Sequence, residues 1–163
     1  MVAQSPEFQV LEAIRDWMAT LPLWQSWTGL TGDDLKARVV WPIKDAPALP
    51  VCVLFLKGGR TINKTGAAGG SNFDPSGMIG MAIYAADTGG EDEATGYTDF
   101  GDMFFALKQQ MADYAHTAPV LFNEFTTDEI PIVRSSWVNT EEDQEGMAAW
   151  WQGVLNCRWG VEQ

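Results

Sequence analysis

The sequence predicts one α+β domain over residues 1–163, with five or six strands in a mainly antiparallel mixed sheet and two helices packed on one face. Three observations support this fold class. From Met147 to Val161 every second residue is apolar, the period expected of a strand with one buried face. Residues 97–115 carry one apolar stripe at helical spacing. The chain has 163 residues, 46% of them hydrophobic, which suits a single packed domain.

The first half of the chain predicts one helix and two strands. Residues 5–22 begin with Ser5 as a possible N-cap and Pro6 in the first turn, and Pro22 ends the segment. Residues 23–34 predict an irregular or short helical connection, residues 35–42 a short strand, and the apolar run 51–57 a central strand. The predicted face of the helix follows a spacing of three to four residues and consists of Phe8, Leu11, Ile14 or Arg15, and Met18.

The second half predicts a long loop, a second helix and several strands. Residues 58–77 contain six glycines and predict a long excursion between strands, the second of which covers 78–85. Residues 87–96 predict an acidic loop, and Thr98 is the expected N-cap of the helix at 97–115. Residues 119–139 predict two short strands or one interrupted strand, and residues 140–146 an acidic turn before the last strand. The helix stripe consists of Phe100, Met103, Phe104, Leu107, Met111 and Tyr114.

The composition restricts the possible partners. A net charge of −12 disfavours wrapping of nucleic acid and binding to an anionic membrane, although DNA can slide past an acidic wall without adhering. No apolar stretch reaches the ~18 residues of a membrane span, and the N-terminal residues lack the pattern of a signal peptide. We therefore expect no membrane partner.

The two cysteines, Cys52 and Cys157, lie in apolar strand-like runs. This placement predicts buried free thiols, as is usual in a reducing compartment. A disulfide between them is the alternative.

The segment GGRTINKT at residues 58–65 is close to a phosphate-binding loop, but the match fails in two places. Asn63 stands where the second glycine belongs, and the glycine-rich residues that follow cannot begin the helix that would hold a phosphate. Two interpretations remain. The segment is a flexible loop with solvated charges, or an ordered arm that docks on an acidic neighbouring subunit.

No residue pattern predicts catalysis, a cofactor or a metal ion. The single histidine, His116, follows the second helix, where a cation is favoured, and neither cysteine lies in an exposed electropositive loop. The acidic clusters 91–93 and 141–143 lack metal-ligand spacing and predict solvated turns. We expect a protein that is not an enzyme. A small hydrolase that uses carboxylates would need them to converge in a pocket.

The order of elements resembles that of the tail terminator, or tail completion, proteins of long-tailed bacteriophages, including the lambda-like minor tail protein. The shared features are an N-terminal helix, a short strand, a buried strand, a Gly-rich excursion, a strand with an acidic loop, a long helix and final strands ending W-x-G-x-L-x-C-x-W-x-V. The resemblance covers most of the chain at the level of element order and length. The segments 23–34 and 58–77 are longer than a minimal member requires, which leaves another neck or tail-tube role open.

The resemblance implies a structural protein of the virion, located in the tail or neck and in the host cytoplasm during assembly. Its subunits would form a hexameric ring that caps the tail tube and joins it to the head-side neck or connector protein. The partners would be other copies of the chain, the major tail tube protein and the neck protein, with DNA passing through the channel without specific binding. The alternative is a monomeric acidic domain of the immunity or anti-host type, which masks a basic partner.

Charge and position predict the contact residues of such a ring. A basic segment and an acidic segment could meet in a head-to-tail contact, of the kind that closes rings. Trp150, on the mixed face of the last strand, is expected to be covered by a neighbouring subunit or by the early segment that carries Trp24 and Trp27. The basic residues are Lys57, Arg60 and Lys64, and the acidic residues are Glu91, Asp92 and Glu93.

Overall fold

The computed structural model describes residues 6–41, 48–65, 72–88, 92–118, 121–137 and 148–160. In chain order, the elements of this part are α1 (Pro6–Met18), α2 (Pro22–Thr28), α3 (Gly32–Lys36), β1 (Val39–Val40), β2 (Val51–Thr65), β3 (Asn72–Ala86), α4 (Glu93–Asp113), a 3₁₀ turn (Ala115–Thr117), β4 (Leu121–Trp137) and β5 (Ala148–Gly160).

The strands form one five-stranded mixed sheet in the order β1-β2-β3-β5-β4. β1 runs parallel to β2, and the other neighbouring pairs are antiparallel. The predicted α+β class with a mainly antiparallel sheet is therefore confirmed. The described residues contain four α-helices instead of two, because the connection predicted at 23–34 folds into α2 and α3.

The chain turns sharply between these short helices. α2 begins at Pro22, where the missing N–H of proline costs no hydrogen bond, and it ends at Gly29 with φ 68°. A left-handed residue at this position favours glycine, which has no Cβ to clash. The turn directs Trp24 and Leu35 into the core, and both are fully buried.

The helices pack against one face of the sheet. Trp17 of α1 stacks on Phe125 of β4, with ring centroids 6.4 Å apart, and Phe100 of α4 stacks on Trp151 of β5 at 6.5 Å. The predicted core face of the last strand is confirmed from Trp151 to Trp159, where the alternate positions are all buried. These buried positions are Trp151, Gly153, Leu155, Cys157 and Trp159. Met147 and Val161 lie outside the described residues, and the side chain of Ala149 is outside the described part as well.

The buried faces of the two long helices agree with the sequence except at their ends. In α4, Phe100, Phe104, Leu107 and Met111 are buried, Met103 is half-buried, and Tyr114 lies just beyond the helix and is 38% exposed. In α1 the prediction for Phe8 was wrong, since its side chain is 47% exposed. The buried face of α1 is instead Val10, Leu11, Ile14, Trp17 and Met18.

The prediction of a loop at residues 58–77 was wrong, because most of this segment extends β2 and β3 into a long hairpin. Thr61 pairs with Ser76 and Thr65 pairs with Asn72, after a shift of register between Lys57 and Thr61. Glycines 58 and 59 fall in this irregular stretch, where a bulge requires conformational freedom. The segment 61–65 that follows them contains the β-branched residues Thr61, Ile62 and Thr65, which favour a strand.

The distal part of this hairpin extends beyond the rest of the sheet. β5 pairs with β3 only from Ser76 to Ala86, and β1 pairs with β2 only at Cys52 and Val53. Residues 61–65 and 72–75 are therefore paired with each other alone among the described strands. We call this two-stranded extension the arm.

Candidate interaction surface

The face of the sheet opposite the helices carries a group of apolar side chains. Strand register places the even-numbered residues of β3 and β5 on this face, together with Val53 and Phe55 of β2 and Val133 of β4. The described helices all pack on the other face. We call this surface the open face. Its large apolar members that are at least partly exposed are Val53, Phe55, Met78, Tyr84, Val133, Trp150 and Val154. Val51 and Ala82 lie on the same face and are buried.

Two of these residues are strongly exposed for their type. The Phe55 side chain is 39% exposed and that of Val133 is 45% exposed, while Val154 and Trp150 are half-buried. Single exposed apolar residues are common on monomers, but a contiguous group that spans four strands is typical of an interaction surface. The open face is the main candidate for contact with another protein.

A close approach between strands shapes the centre of the open face. The Phe55 ring lies over Gly80, on the neighbouring strand, and occupies the place that a Cβ at residue 80 would take. Beyond Gly80 lies Asn156, which is 5% exposed and accepts a hydrogen bond from Lys57 Nζ at 2.9 Å. Lys57, predicted as an interface residue, is therefore a half-buried cation of the open face.

Trp150 lies on the open face, as its position in the last strand predicts, opposite Ala86 of β3 and Ser135 of β4. The alternative that the segment carrying Trp24 and Trp27 covers it was wrong. That segment belongs to the helical layer, because Trp27 packs on Phe100 of α4 with ring centroids 5.8 Å apart.

The other two predicted basic residues, Arg60 and Lys64, lie on β2 at and beyond the start of the arm. They are strand residues, contrary to the prediction of a loop. Lys64 pairs with Phe73 in the backbone register of the arm. The segment GGRTINKT is thus part of a β-strand over its whole length.

The predicted acidic residues Asp92 and Glu93 form the beginning of α4, and Glu91 lies outside the described residues. Asp92 is the N-cap, a role predicted for Thr98, and its carboxylate accepts hydrogen bonds from the Thr95 hydroxyl at 2.6 Å and from the Ala94 N–H at 3.1 Å. These hydrogen bonds, led by that of Thr95, lower the pKa of Asp92.

A buried carboxylate that no sequence pattern singles out anchors the end of β3. Asp87 accepts hydrogen bonds from Arg134 and from Trp151 Nε1, and its side chain is 5% exposed. Arg134 also lies 3.9 Å from the Glu93 carboxylate and stacks over the Trp151 ring. These residues are far apart in sequence, so no local pattern could indicate the cluster.

The structure does not bring the basic and acidic residues together within one copy. β3 leads from the arm to Asp87, so Lys64 and Asp92 lie at opposite ends of the sheet. Between Phe73, the partner of Lys64, and Ala86 the strand spans roughly 40 Å at 3.3 Å per residue. A contact between the two groups would have to join different copies.

A shallow groove of about 430 Å³ separates α4 from β4. Phe105, which is 46% exposed, and the half-buried Phe125 give it an apolar lining, and Lys108 and Glu124 contribute one charge of each sign. Among the described lining residues Glu124 is the single carboxylate, so this groove does not bring together the pair of acids that a glycosidase-like site requires.

The two cysteines and the histidine lie in environments that the fold explains. Cys52 and Cys157 are buried free thiols, as predicted, and burial raises the pKa of both. His116 follows α4, with Nδ1 3.1 Å from the carbonyl oxygen of Asp113. Within the described ranges no three His, Cys, Asp or Glu side chains are grouped so that they could hold a metal ion. Over the same ranges, no helix has both the length and the apolar character needed to cross a bilayer.

Comparison of the sequence with protein-family models and with curated proteins finds no match.

Proposed function

We propose that the chain is a structural subunit of a long-tailed phage virion, which assembles into a ring that caps the tail tube and joins it to the head-side neck protein. The observation that carries this proposal is the open face. A five-stranded sheet is covered by helices on one side and presents Phe55, Val133 and Val154 on the other. Burial of this face in an assembly would remove apolar area from water at about 25 cal/mol per Å².

Charge and element order add support. The order of elements on which the resemblance rests matches that of the described elements, except that α2 and α3 stand between the first helix and β1 and that a hairpin replaces the expected excursion. A net charge of −12 suits the wall of a channel through which DNA must slide without adhering. In this function the chain contributes surfaces and a channel wall, and it needs no catalytic group.

The first test is the mass of the native protein, measured by mass photometry alone and with purified tail tubes, with negative-stain images of the same samples. Six-fold rings, either free or formed on tube ends, would support the proposal. A monomer that does not bind tubes would contradict it and would favour the acidic partner-binding domain.

A matched pair of variants connects the assembly to the open face. Val133 on the open face and Phe8 on α1 are exposed to similar extents, at 45% and 47%. We expect Val133→Asp to abolish rings, because it places a charge in a desolvated contact, whereas Phe8→Asp should leave them intact. Equal loss of rings in both variants would assign the assembly to a surface other than the open face.

A further inference from the structure

Two long strand edges lie on opposite sides of the sheet. β4 is the last strand on one side, and beyond Val53 no described strand pairs with the outer side of β2. Such edges offer backbone N–H and C=O groups to another chain, and folded proteins usually cover or interrupt them. The edge of β4 is interrupted by a shift of register between Thr127 and Ile132, so its regular part near the arm is Glu124–Thr127.

A further strand would stabilise the arm. An isolated two-stranded ribbon is marginally stable in water, and a third strand or a packed face is required to hold it. The arm begins where β3 leaves β5 at Ser76, so no third strand supports residues 61–65 and 72–75 within the described chain.

The two edges carry opposite charges in sequence. β2 carries Arg60 and Lys64 in its distal half, and β4 carries Glu124 in the regular part of its edge, with Asp128 and Glu129 in the interrupted stretch that follows. Opposite charges orient an encounter between two surfaces and disfavour the wrong pairing.

The arm and the groove also lie at the same end of the sheet. Ser76 pairs with Gly160, and Gly160 pairs with Leu121, so the arm starts level with the beginning of β4. The groove beside Glu124 and Phe125 is three or four residues further along β4, roughly 10–13 Å at 3.3 Å per residue. The acidic group at Asp92 and Glu93 is at the far end.

We propose that the arm of one copy adds, through the outer edge of β2, to the Glu124–Thr127 edge of β4 in the next copy, beside the groove between α4 and β4. Added strands gain affinity from backbone hydrogen bonds and specificity from pockets for alternate side chains, and the apolar groove supplies such a pocket. The contact joins different surfaces of identical chains, so it is head-to-tail and closes a ring when the rotation divides the circle. This inference rests on the proposed ring and names a second contact between its subunits, in addition to the open face.

Cysteine cross-linking tests this contact directly. We expect Lys64→Cys protein mixed with Glu124→Cys protein to form covalent dimers on mild oxidation, while Lys64→Cys mixed with Glu93→Cys does not. The native thiols are buried and should not take part. Cross-linking to position 93 instead of position 124, or to neither, would overturn the inference.

Charge reversal provides the second readout. Lys64→Glu and Glu124→Lys should each weaken association by at least about tenfold, and the double variant should recover most of the loss. Lys36→Glu and Asp102→Lys, on α3 and α4, are matched controls that should assemble normally.

The outcomes separate this inference from the proposed function. Rings that form normally with Lys64→Glu and give no 64–124 cross-link would overturn the arm contact and leave the ring in place. A 64–124 cross-link in protein that forms dimers or open chains without rings would support the arm contact and contradict the proposed ring.

Discussion

Asp87 holds Arg134 by two hydrogen bonds, from Nη2 at 2.8 Å and from Nε at 3.1 Å, across 47 residues of sequence. The other oxygen of this carboxylate accepts a hydrogen bond from Trp151 Nε1 at 3.1 Å. One side chain at the end of β3 thus connects β4 and β5 at the point where the chain leaves the sheet for α4. It also occupies the space beside Gly96, where a Cβ would meet the carboxylate.

Asp87→Ala should lower the free energy of unfolding by about 2–3 kcal/mol, because it leaves a buried indole N–H and a partly buried guanidinium without this acceptor. Asp87→Asn should cost less, since its amide oxygen can still accept one hydrogen bond. Urea unfolding followed by tryptophan fluorescence would measure both. Asp102→Ala, an exposed carboxylate of α4, is the control, and an Asp87→Ala variant as stable as this control would show that the cluster contributes nothing.

Two glycines in the central strands should respond differently to the same added methyl group. At Gly153 a Cβ would lie 2.6 Å from the ring of Phe104, which is fully buried and cannot move. At Gly80 it would meet Phe55, whose ring is 39% exposed and can swing toward solvent. We expect Gly153→Ala to cost about 3 kcal/mol and Gly80→Ala less than about 1 kcal/mol in denaturant unfolding. The reverse order would mean that Phe55 is held more firmly than its exposure indicates.

Trp150 and Trp151 are neighbours in sequence on opposite faces of the sheet. Trp151→Asp should unfold the domain, because it buries a charge at a site that is 3% exposed. Trp150→Asp should leave a folded monomer whose assembly is weaker by about thirtyfold, since an interface tryptophan commonly contributes 2 kcal/mol or more. Circular dichroism with mass photometry separates the two effects. Unfolding of both variants would mean that the open face is not free for assembly.

The N-cap of α4 should make stability depend on pH at the acid end. The hydrogen bonds from Thr95 and Ala94 favour the charged form of Asp92 and lower its pKa below the usual value of 3.8. A group whose pKa is lower in the folded state stabilises that state above the unfolded pKa, and this contribution disappears as pH falls through the folded value. Stability should therefore decline below about pH 4 through this residue.

Asp92→Asn retains a capping side chain but removes the charge. The free energy of unfolding of this variant should therefore fall less steeply at acid pH than that of the unmodified protein. Urea midpoints measured from pH 5 to pH 2.5 for the two proteins would give the difference. Asp99→Asn, on the same helix, is the control for a lost surface charge. Parallel curves for Asp92→Asn and the unmodified protein would contradict a stabilising role of the ionised cap.

The sequence predicted those elements whose side chains repeat with a clear period. The alternation from Trp151 to Trp159 and the stripe from Phe100 to Met111 both identify buried faces. A strand buries every second side chain, and a helix buries side chains that are three or four positions apart. Helix α1 was placed correctly, but Phe8 was assigned to its buried face although it lies at the exposed first turn. At a helix end an apolar residue can satisfy the spacing without having a partner to pack against.

The arm and the Asp87 cluster could not be predicted in the same way. Six glycines between residues 58 and 77 favour a loop by composition, and they outweighed the strand preference of the short runs between them. The cluster depends on pairing between residues 47 and 64 positions apart. Val53 and Phe55 of the open face could not be predicted for a related reason. The run VCVLFLK is apolar at consecutive positions, so its sequence does not show which residues face which side of the sheet.

Chemical labelling of the two buried thiols can measure how often the sheet opens in the folded protein. Cys52 lies on β2 beside β1, and Cys157 lies on β5 between β3 and β4. A thiol with a raised pKa and no exposure reacts with a labelling reagent only in molecules whose surrounding strands have separated, so the labelling rate counts those events. Equal rates at the two positions would show that the sheet opens as one cooperative unit. Faster labelling of Cys52 would show that the β1 side separates first, a motion that could be followed during assembly without a foreign probe.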